Sequence, residues 1–284
     1  MTVINTNVAS LYAQASLASN GRNLQAAMKQ LSTGKRINAA SDDPAGLATV
    51  ARLTSQINGL NQAVRNANDA INMLQTADGA SDEVTNLLQR MRQLAVQSIN
   101  QTYSQNDRTS MNSEFTSLYN EIKRVAITTQ WNGVNVLDGS QGTSGTVNFK
   151  VGSQTGSSTI ISATIKSFNP AASGSTVSGM SGLKSGSISS VALASAMLTA
   201  INTAISGVNS MRSNIGSKIN RLQFTVDNLT NISTNLQSSK SQIEDVDYSQ
   251  ATGNLARAQV IQQAATAMLA QANQQPQLVL ALLK

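Results

Sequence analysis

The side chains best placed to do chemistry are acidic: Glu244, Asp245 and Asp247 crowd into one short stretch, a density that suits a cation site or an acid–base pair. The chain offers such a site little support. It contains no cysteine and no histidine, which excludes disulfides, thiolate metal sites, cysteine nucleophiles, imidazole bases and histidine-ligated zinc. Asp247 has a simpler use as a helix N-cap, so structural roles are expected for the whole cluster. No catalytic residue, metal site or cofactor is expected. The Asn-x-Ser/Thr triplets at Asn100, Asn228 and Asn231 read as chance in a chain rich in Asn and Thr. The net charge of +6 is carried in scattered pairs, Lys35 with Arg36, Arg90 with Arg92 and Lys123 with Arg124. With no aromatic residues interleaved, these read as solvated helix faces, and nucleic-acid binding is not expected.

Positioning elements follow from composition. Of 284 residues only 3% are aromatic and 12% charged, below the roughly 25% charge of an average soluble domain, which favours elongated helical packing over a compact globule. Both ends are nearly uncharged: nothing is charged before Arg22, and between Asp247 and Lys284 only Arg257 is. Ile4, Val8, Leu11, Ala15 and Ala18 alternate steps of four and three, as do Ala258, Ile261, Ala265, Met268 and Ala272. That is coiled-coil spacing with small residues that let helices approach closely. Such ends bury too little alone to offset about 1–2 kcal/mol per residue of ordering entropy, so their stripes are expected to be buried between subunits, and free ends to be disordered. The opening residues lack the basic start and apolar block of a secretory signal. The densest apolar run, Leu278 to Leu283, falls short of the ~20 residues needed to cross a bilayer.

Between the ends, Val50, Leu53, Ile57, Leu60, Val64, Ala67, Ile71 and Leu74 mark a long helix beginning at an Asp43 cap and Pro44. Asp78 and Gly79 interrupt it, predicting a kink or register shift before the pattern resumes at Val84, Leu88, Met91 and Ala95. Ser104 and Asp107 have capping-box spacing for a helix carrying Met111, Phe115, Leu118, Ile122 and Val125, which makes a helical hairpin. Leu198 to Ile243 reads as one very long helix, and Asp247 with Gln250 starts another. Residues 132–190 turn to Gly, Ser and Thr, with β-prone pieces at Thr146–Val151 and Thr159–Ile165. The expected fold is mainly α: an elongated coiled-coil helical bundle with the terminal helices paired as an inner domain and a small β-hairpin region mid-chain.

The stretch LSTGKRINAASDDPAGLA from Leu31 to Ala48 is similar to the N-terminal signature of bacterial flagellins. So are LQRMRQLAVQSIN (Leu88–Asn100), WNGVNVLDG (Trp131–Gly139), SQIEDVDY (Ser241–Tyr248) and AQANQQPQ (Ala270–Gln277), in order and at the separations of a short family member that lacks large outer domains. The resemblance implies a structural subunit of the flagellar filament, self-assembling into a helical tube for swimming motility and catalysing nothing; the alternative is a hook–filament junction protein. It implies an N-terminal inner helix and spoke at 1–43, N-terminal rod helices at 44–140, a β-hairpin with variable loops at 141–190, a C-terminal rod helix at 191–245 and a C-terminal inner helix at 246–284.

The same resemblance implies export, without a cleaved signal peptide, through the flagellar type III apparatus to an extracellular filament. Its partners would be copies of itself, the flagellar cap, junction proteins and an export chaperone, with no nucleic acid and no membrane insertion. Assembly residues are expected on the terminal stripes at Ile4, Val8, Leu11, Ile261, Met268 and Leu280, and a spoke and hinge at Asp42, Asp43, Pro44, Asp245 and Asp247. Gln89, Arg90, Leu94 and Glu114 resemble positions by which the vertebrate innate receptor TLR five recognises flagellins. Arg90 and Glu114 would offer opposite charges there and Leu94 an apolar anchor.

Overall fold

The computed structural model describes the backbone of residues 6–142, 145–153, 156, 159–170, 176–184 and 186–282, and side chains as far as 274. Five helices carry most of the described residues: α1 Val8–Thr33, α2 Pro44–Ile99, α3 Gln105–Thr128, α4 Val191–Glu244 and α5 Tyr248–Leu282. Between α3 and α4 lie two antiparallel strand pairs, β1 Gln130–Trp131 with β2 Val134–Asn135 and β3 Thr146–Lys150 with β4 Ile160–Thr164, and a 3-10 turn at Met180–Leu183. The molecule divides into two units, Asn58–Ser233 and Met1–Ile57 with Thr234–Lys284.

In the unit Asn58–Ser233, the 3.5-residue repeat of α2 does not break at Asp78 and Gly79. The buried positions run Leu60, Ala63, Ala67, Ala70, Leu74, Ala77, Ser81, Val84, Leu88, Met91, Ala95 and Ser98 without a missed step. There is therefore no register shift, and α2 is one helix. Ala77 and the buried hydroxyl of Ser81, which donates to the Ala77 carbonyl at 2.6 Å, fill the gap left by large residues. The acidic residues that interrupt the apolar pattern are taken by α4: Arg212 donates to Asp78 at 2.9 Å and to Asp82 at 2.7 Å.

Ser104 caps α3 in a reciprocal box with Asp107. The hydrogen bonds from Ser104 hold the Asp107 carboxyl below its usual 3.8. Phe115 and Ile122 from α3 then meet Leu88, Met91 and Leu94 from α2 and Ile201, Val208, Ile215 and Leu222 from α4 in one apolar cluster. Part of α4 is, by length and composition alone, apolar enough to cross a membrane. Ala194, Ile201, Ala204 and Val208 of that helix are fully buried in the core.

The mid-chain strands fall where the sequence placed them. Ile161 and Ala163 turn inward, while Phe149 opposite Ile161 is half-buried, the alternation of a one-sided sheet. The loop beyond β3 lies so close to α2 that a Cβ at Gly59 would stand 2.7 Å from the Ser153 Cβ. The β1–β2 hairpin was not anticipated. Its signal was the Asn132-Gly133 pair, a strong two-residue hairpin marker, and both residues have positive φ.

In the other unit, α1 and α5 pair along their lengths. Among the described residues they are the helices whose Cα atoms repeatedly approach within 8 Å.

Candidate assembly surfaces

The side chains of α1 that turn inward are Ser10, Ala13, Leu17, Asn20, Leu24 and Ala27; those of α5 are Ala251, Leu255, Ala258, Gln262, Ala265, Leu269 and Ala272. Each set keeps steps of three and four, so the pair is a coiled-coil seam. Its filling is unusual, because small residues bring the backbones close enough for α1 amides to reach α5 carbonyls. Asn7 Nδ2 donates to Ala272 O and Asn20 Nδ2 to Ala258 O, both at 2.7 Å. Ser10 Oγ donates to Asn273 Oδ1 at 3.0 Å, and Asn7 Oδ1 caps α1 by accepting from Ser10 N. A helical carbonyl keeps a second lone pair after serving its own ladder, so these bonds cost α5 nothing internally.

The stripe Val8, Leu11, Ala15, Ala18 is not this seam. It is exposed throughout, Leu11 at 56%. At about 100° per residue it points roughly 170° away from the Ser10–Ala27 face. On α5 the expected stripe splits: Ala258 and Ala272 are buried and Ala265 half-buried against α1, whereas Ile261 and Met268 lie outside, Met268 at 65% exposure. Val260 is exposed as well. Ile4 and the side chain of Leu280 lie outside the described residues.

Below the helix pair, residues 34–36 cross residues 243–246 as a short antiparallel bridge. Arg36 N donates to Glu244 O at 2.6 Å and Val246 N to Gly34 O at 3.0 Å. Gly34 ends α1 with φ 70, the left-handed cap that a side chain would strain. The three clustered carboxylates go to three separate tasks. Glu244, buried, accepts from Lys35 at 2.5 Å and stands 3.5 Å from Lys240. Asp245 accepts from the Ser241 hydroxyl at 2.5 Å. Asp247 caps α5, accepting from Ser249 N at 2.8 Å. The Glu244 hydrogen bond raises the Lys35 pKa above 10.5.

Asp42 accepts from the backbone amides of Asn38 and Ala39, which lower its pKa. Asp43 accepts from Gly46 N at 2.8 Å, and Pro44 opens α2. Ile37, nearly fully buried, packs beside Gly46, where a Cβ would meet its Cδ1 at 2.6 Å.

On the other unit, Gln89, Arg90 and Glu114 share an exposed face of the α2–α3 hairpin. Arg90 donates to Glu114 at 2.8 Å and reaches Gln93 at 3.3 Å. Leu94 does not join them. It is 2% exposed and belongs to the core cluster, so it is no anchor for a partner docking on the folded protein. Because α2 faces both α3 and α4, it buries a wider arc than a two-helix seam, and that arc takes in Leu94 beside Met91 and Ala95.

The model of the bacterial flagellin N-terminal helical region matches residues 4–142, and that of the C-terminal helical region matches residues 198–283. A flagellin of Halalkalibacterium halodurans is 41% identical over 282 residues, covering 99% of this chain and 100% of that one. The flagellar filament 33 kDa core protein of Treponema phagedenis is 35% identical, covering 99% and 100%. A solved candidate flagellar hook-associated protein from Vibrio parahaemolyticus superposes with TM-score 0.59 at 16% identity, over 72% of this chain and 100% of that one, a likeness of fold.

Proposed function

Since the chain belongs to the bacterial flagellin family, we propose that its two units divide the work of building a filament. The protein is a structural subunit of the bacterial flagellar filament, associates with copies of itself outside the cell, and is not an enzyme. In our reading the core of Asn58–Ser233 keeps each subunit folded, while α1 and α5 join subunits. The observation that carries this is the outward stripe of Val8, Leu11, Ile261 and Met268 on helices already paired through another face. Ile4 extends the α1 stripe by spacing, and Leu280 is assigned with them. A neighbour that covers the stripe supplies the buried area that a seam whose fully buried positions are Ser, Asn and Ala lacks, so the ends order on assembly.

The boundaries 1–43, 44–140, 141–190, 191–245 and 246–284 are retained as functional segments. Asp42, Asp43 and Pro44 form the spoke, and Asp245 and Asp247 the hinge. Their capping and bridging bonds support that role. Export through the flagellar type III apparatus, and contacts with the cap, junction proteins and an export chaperone at the C-terminal segment, belong to the same reading; the exposed apolar side chains of Val260, Ile261 and Met268 on α5 suit the chaperone. The junction-protein alternative is not favoured, since the full-length relatives are filament proteins and the hook-associated neighbour is alike only in fold. Seeding purified protein with filament fragments tests the assignment. Long filaments by negative-stain microscopy are expected, and short caps on seed ends alone would overturn it.

Recognition by the vertebrate receptor TLR five rests on Gln89, Arg90 and Glu114, with Leu94 supporting that face from within. An arginine-centred hot spot carries about 2 kcal/mol, so Arg90→Ala is expected to weaken receptor binding by about thirtyfold. Monomer should activate the receptor and intact filaments should be nearly silent. Equal activation by both, or an unchanged Arg90→Ala affinity, would sink the receptor role and leave the filament assignment standing.

A further inference from the structure

Three Asn-Gly pairs occur in the sequence, at Asn20-Gly21, Asn58-Gly59 and Asn132-Gly133. Asn followed by Gly is the pair in which a backbone nitrogen most readily attacks the preceding side-chain amide, because glycine puts no Cβ in the way. The fold treats the three differently. Gly21 and Gly59 lie inside α1 and α2, where the amide N–H is held by the carbonyl four residues back. Asn20 is also buried and bonded to Ala258 O at 2.7 Å, and Gly59 is covered by Ser153.

Asn132 and Gly133 instead form the exposed tip of the β1–β2 hairpin, with φ 50 and 77. These are the mirror-image turn angles that leave the amide of the second turn residue outside the ladder. A Cβ built on Gly133 would meet nothing within 4 Å. Two residue pairs, Gln130 with Asn135 and Trp131 with Val134, and the bond from Val136 N to Thr129 O at 3.1 Å hold the hairpin. Such a short ladder opens locally at small cost.

We propose that Asn132-Gly133 is a site of spontaneous deamidation and isomerisation, which the fold leaves reactive while shielding Asn58-Gly59 in the same unit. The Gly133 nitrogen bonds to Asn132 Cγ, the Cγ–Nδ2 bond of Asn132 breaks, and ammonia leaves with the Gly133 amide proton. Water then opens the resulting cyclic imide at either carbonyl. One product is aspartate at 132, which tolerates the left-handed conformation much as asparagine does. The other is isoaspartate, which adds a carbon to the backbone of a two-residue turn. That extra carbon throws the β1–β2 pairs out of register just ahead of Val136 and Leu137, both fully buried. A filament subunit outside the cell thus carries a slow chemical clock at one hairpin tip.

The test ages full-length monomer at mildly alkaline pH, folded and in concentrated urea, then follows Asn132 and Asn58 by peptide mass mapping and isoaspartyl methyltransferase labelling. In the folded protein Asn132 is expected to convert at least about tenfold faster than Asn58, whose helix must first open. In urea the two rates should fall within about threefold of each other. Asn132→Gln, which would need a larger ring, should remove the methyl label from the peptide that carries residue 132. Persistence of Asn132 in the folded protein, or Asn58 matching it there, overturns the proposal. So does an equal preference for Asn132 in urea, because sequence rather than fold would then be selecting it. Asn20 is left out of the comparison, since its rate in monomer reads the ordering of α1, a separate question.

Discussion

Where α1 meets α5 the buried positions are Ser10, Asn20 and Ala27 against Ala251, Ala258 and Ala272, with Leu17, Leu24, Leu255 and Leu269 only half-buried; where α2 meets α3 and α4 they are Leu74, Leu88, Phe115, Ile122, Ile201 and Leu222. Both seams keep the same three-and-four spacing. Side-chain volume separates them. Large aliphatics hold helices at a distance and remove much apolar surface from water, about 1.5–3 kcal/mol for each one fully buried. Small and polar residues bring helices into near backbone contact but bury little, so the pair leaves Leu11, Ile261 and Met268 facing outward. Heptad spacing therefore says where helices meet, and residue size says whether the meeting sustains itself.

The sharpest way to break this comparison is in the well-filled seam. Phe115→Ala should cost the monomer about 3–5 kcal/mol in denaturant unfolding, and Leu222→Ala about 2–5. A loss below about 1 kcal/mol would mean the core is not where stability resides. Met268→Ala and Leu11→Ala should do the reverse, leaving monomer stability within about 0.5 kcal/mol. If a neighbour covers these residues, each truncation forfeits about 1.5–3 kcal/mol of burial and raises the critical concentration for polymerisation by roughly ten- to a hundredfold. Sedimentation of filaments across a dilution series reads this directly, and an unchanged threshold would put the stripe on a free surface.

Smaller effects sharpen the contrast. Ser104→Ala removes a cap within the self-sustaining unit and should lower monomer stability by about 1 kcal/mol. Asn20→Ala should destabilise filaments by about 0.5–1.5 kcal/mol and leave the monomer unchanged, if the α1–α5 pair orders only on assembly. Limited proteolysis checks that condition: the monomer's first forty or so residues and those beyond Asp247 should be cut before the core. The smallest effect is acid fraying of α3. Because the folded pKa of Asp107 lies below the usual 3.8, its contribution is complete above that value. It is lost as pH falls through the folded pKa. Amide exchange at the start of α3 should rise in that window, and Asp107→Asn should abolish the dependence.

Much of this was legible in the sequence, and what was not has physical causes. The caps at Asp43, Ser104 and Asp247 were readable because each pairs a particular side chain with a fixed spacing. The strands at Thr146 and Ile160 were readable from β-branched runs between glycines. The continuity of α2 through Asp78 and Gly79 was hidden because a small residue, Ala77, and a self-bonding serine, Ser81, serve as core there. The α1 seam was missed for a related reason: hydropathy picks out Val8 and Leu11, while the helix pairs through Asn20 and Ser10, whose value depends on a carbonyl that no sequence displays. Leu94 was misjudged because the number of neighbours a helix has, which sets the width of its buried arc, is a tertiary property.

The bonds from Asn7 and Asn20 to the carbonyls of Ala272 and Ala258 have a genetic consequence. Every residue type brings a backbone carbonyl, so no substitution in α5 can delete the acceptors; it can only push the helices apart by adding bulk. The donors are ordinary side chains, lost by a single codon change. Heritable variation in these two bonds is thus confined to α1, whereas the Ser10–Asn273 bond, side chain to side chain, can be lost from either helix.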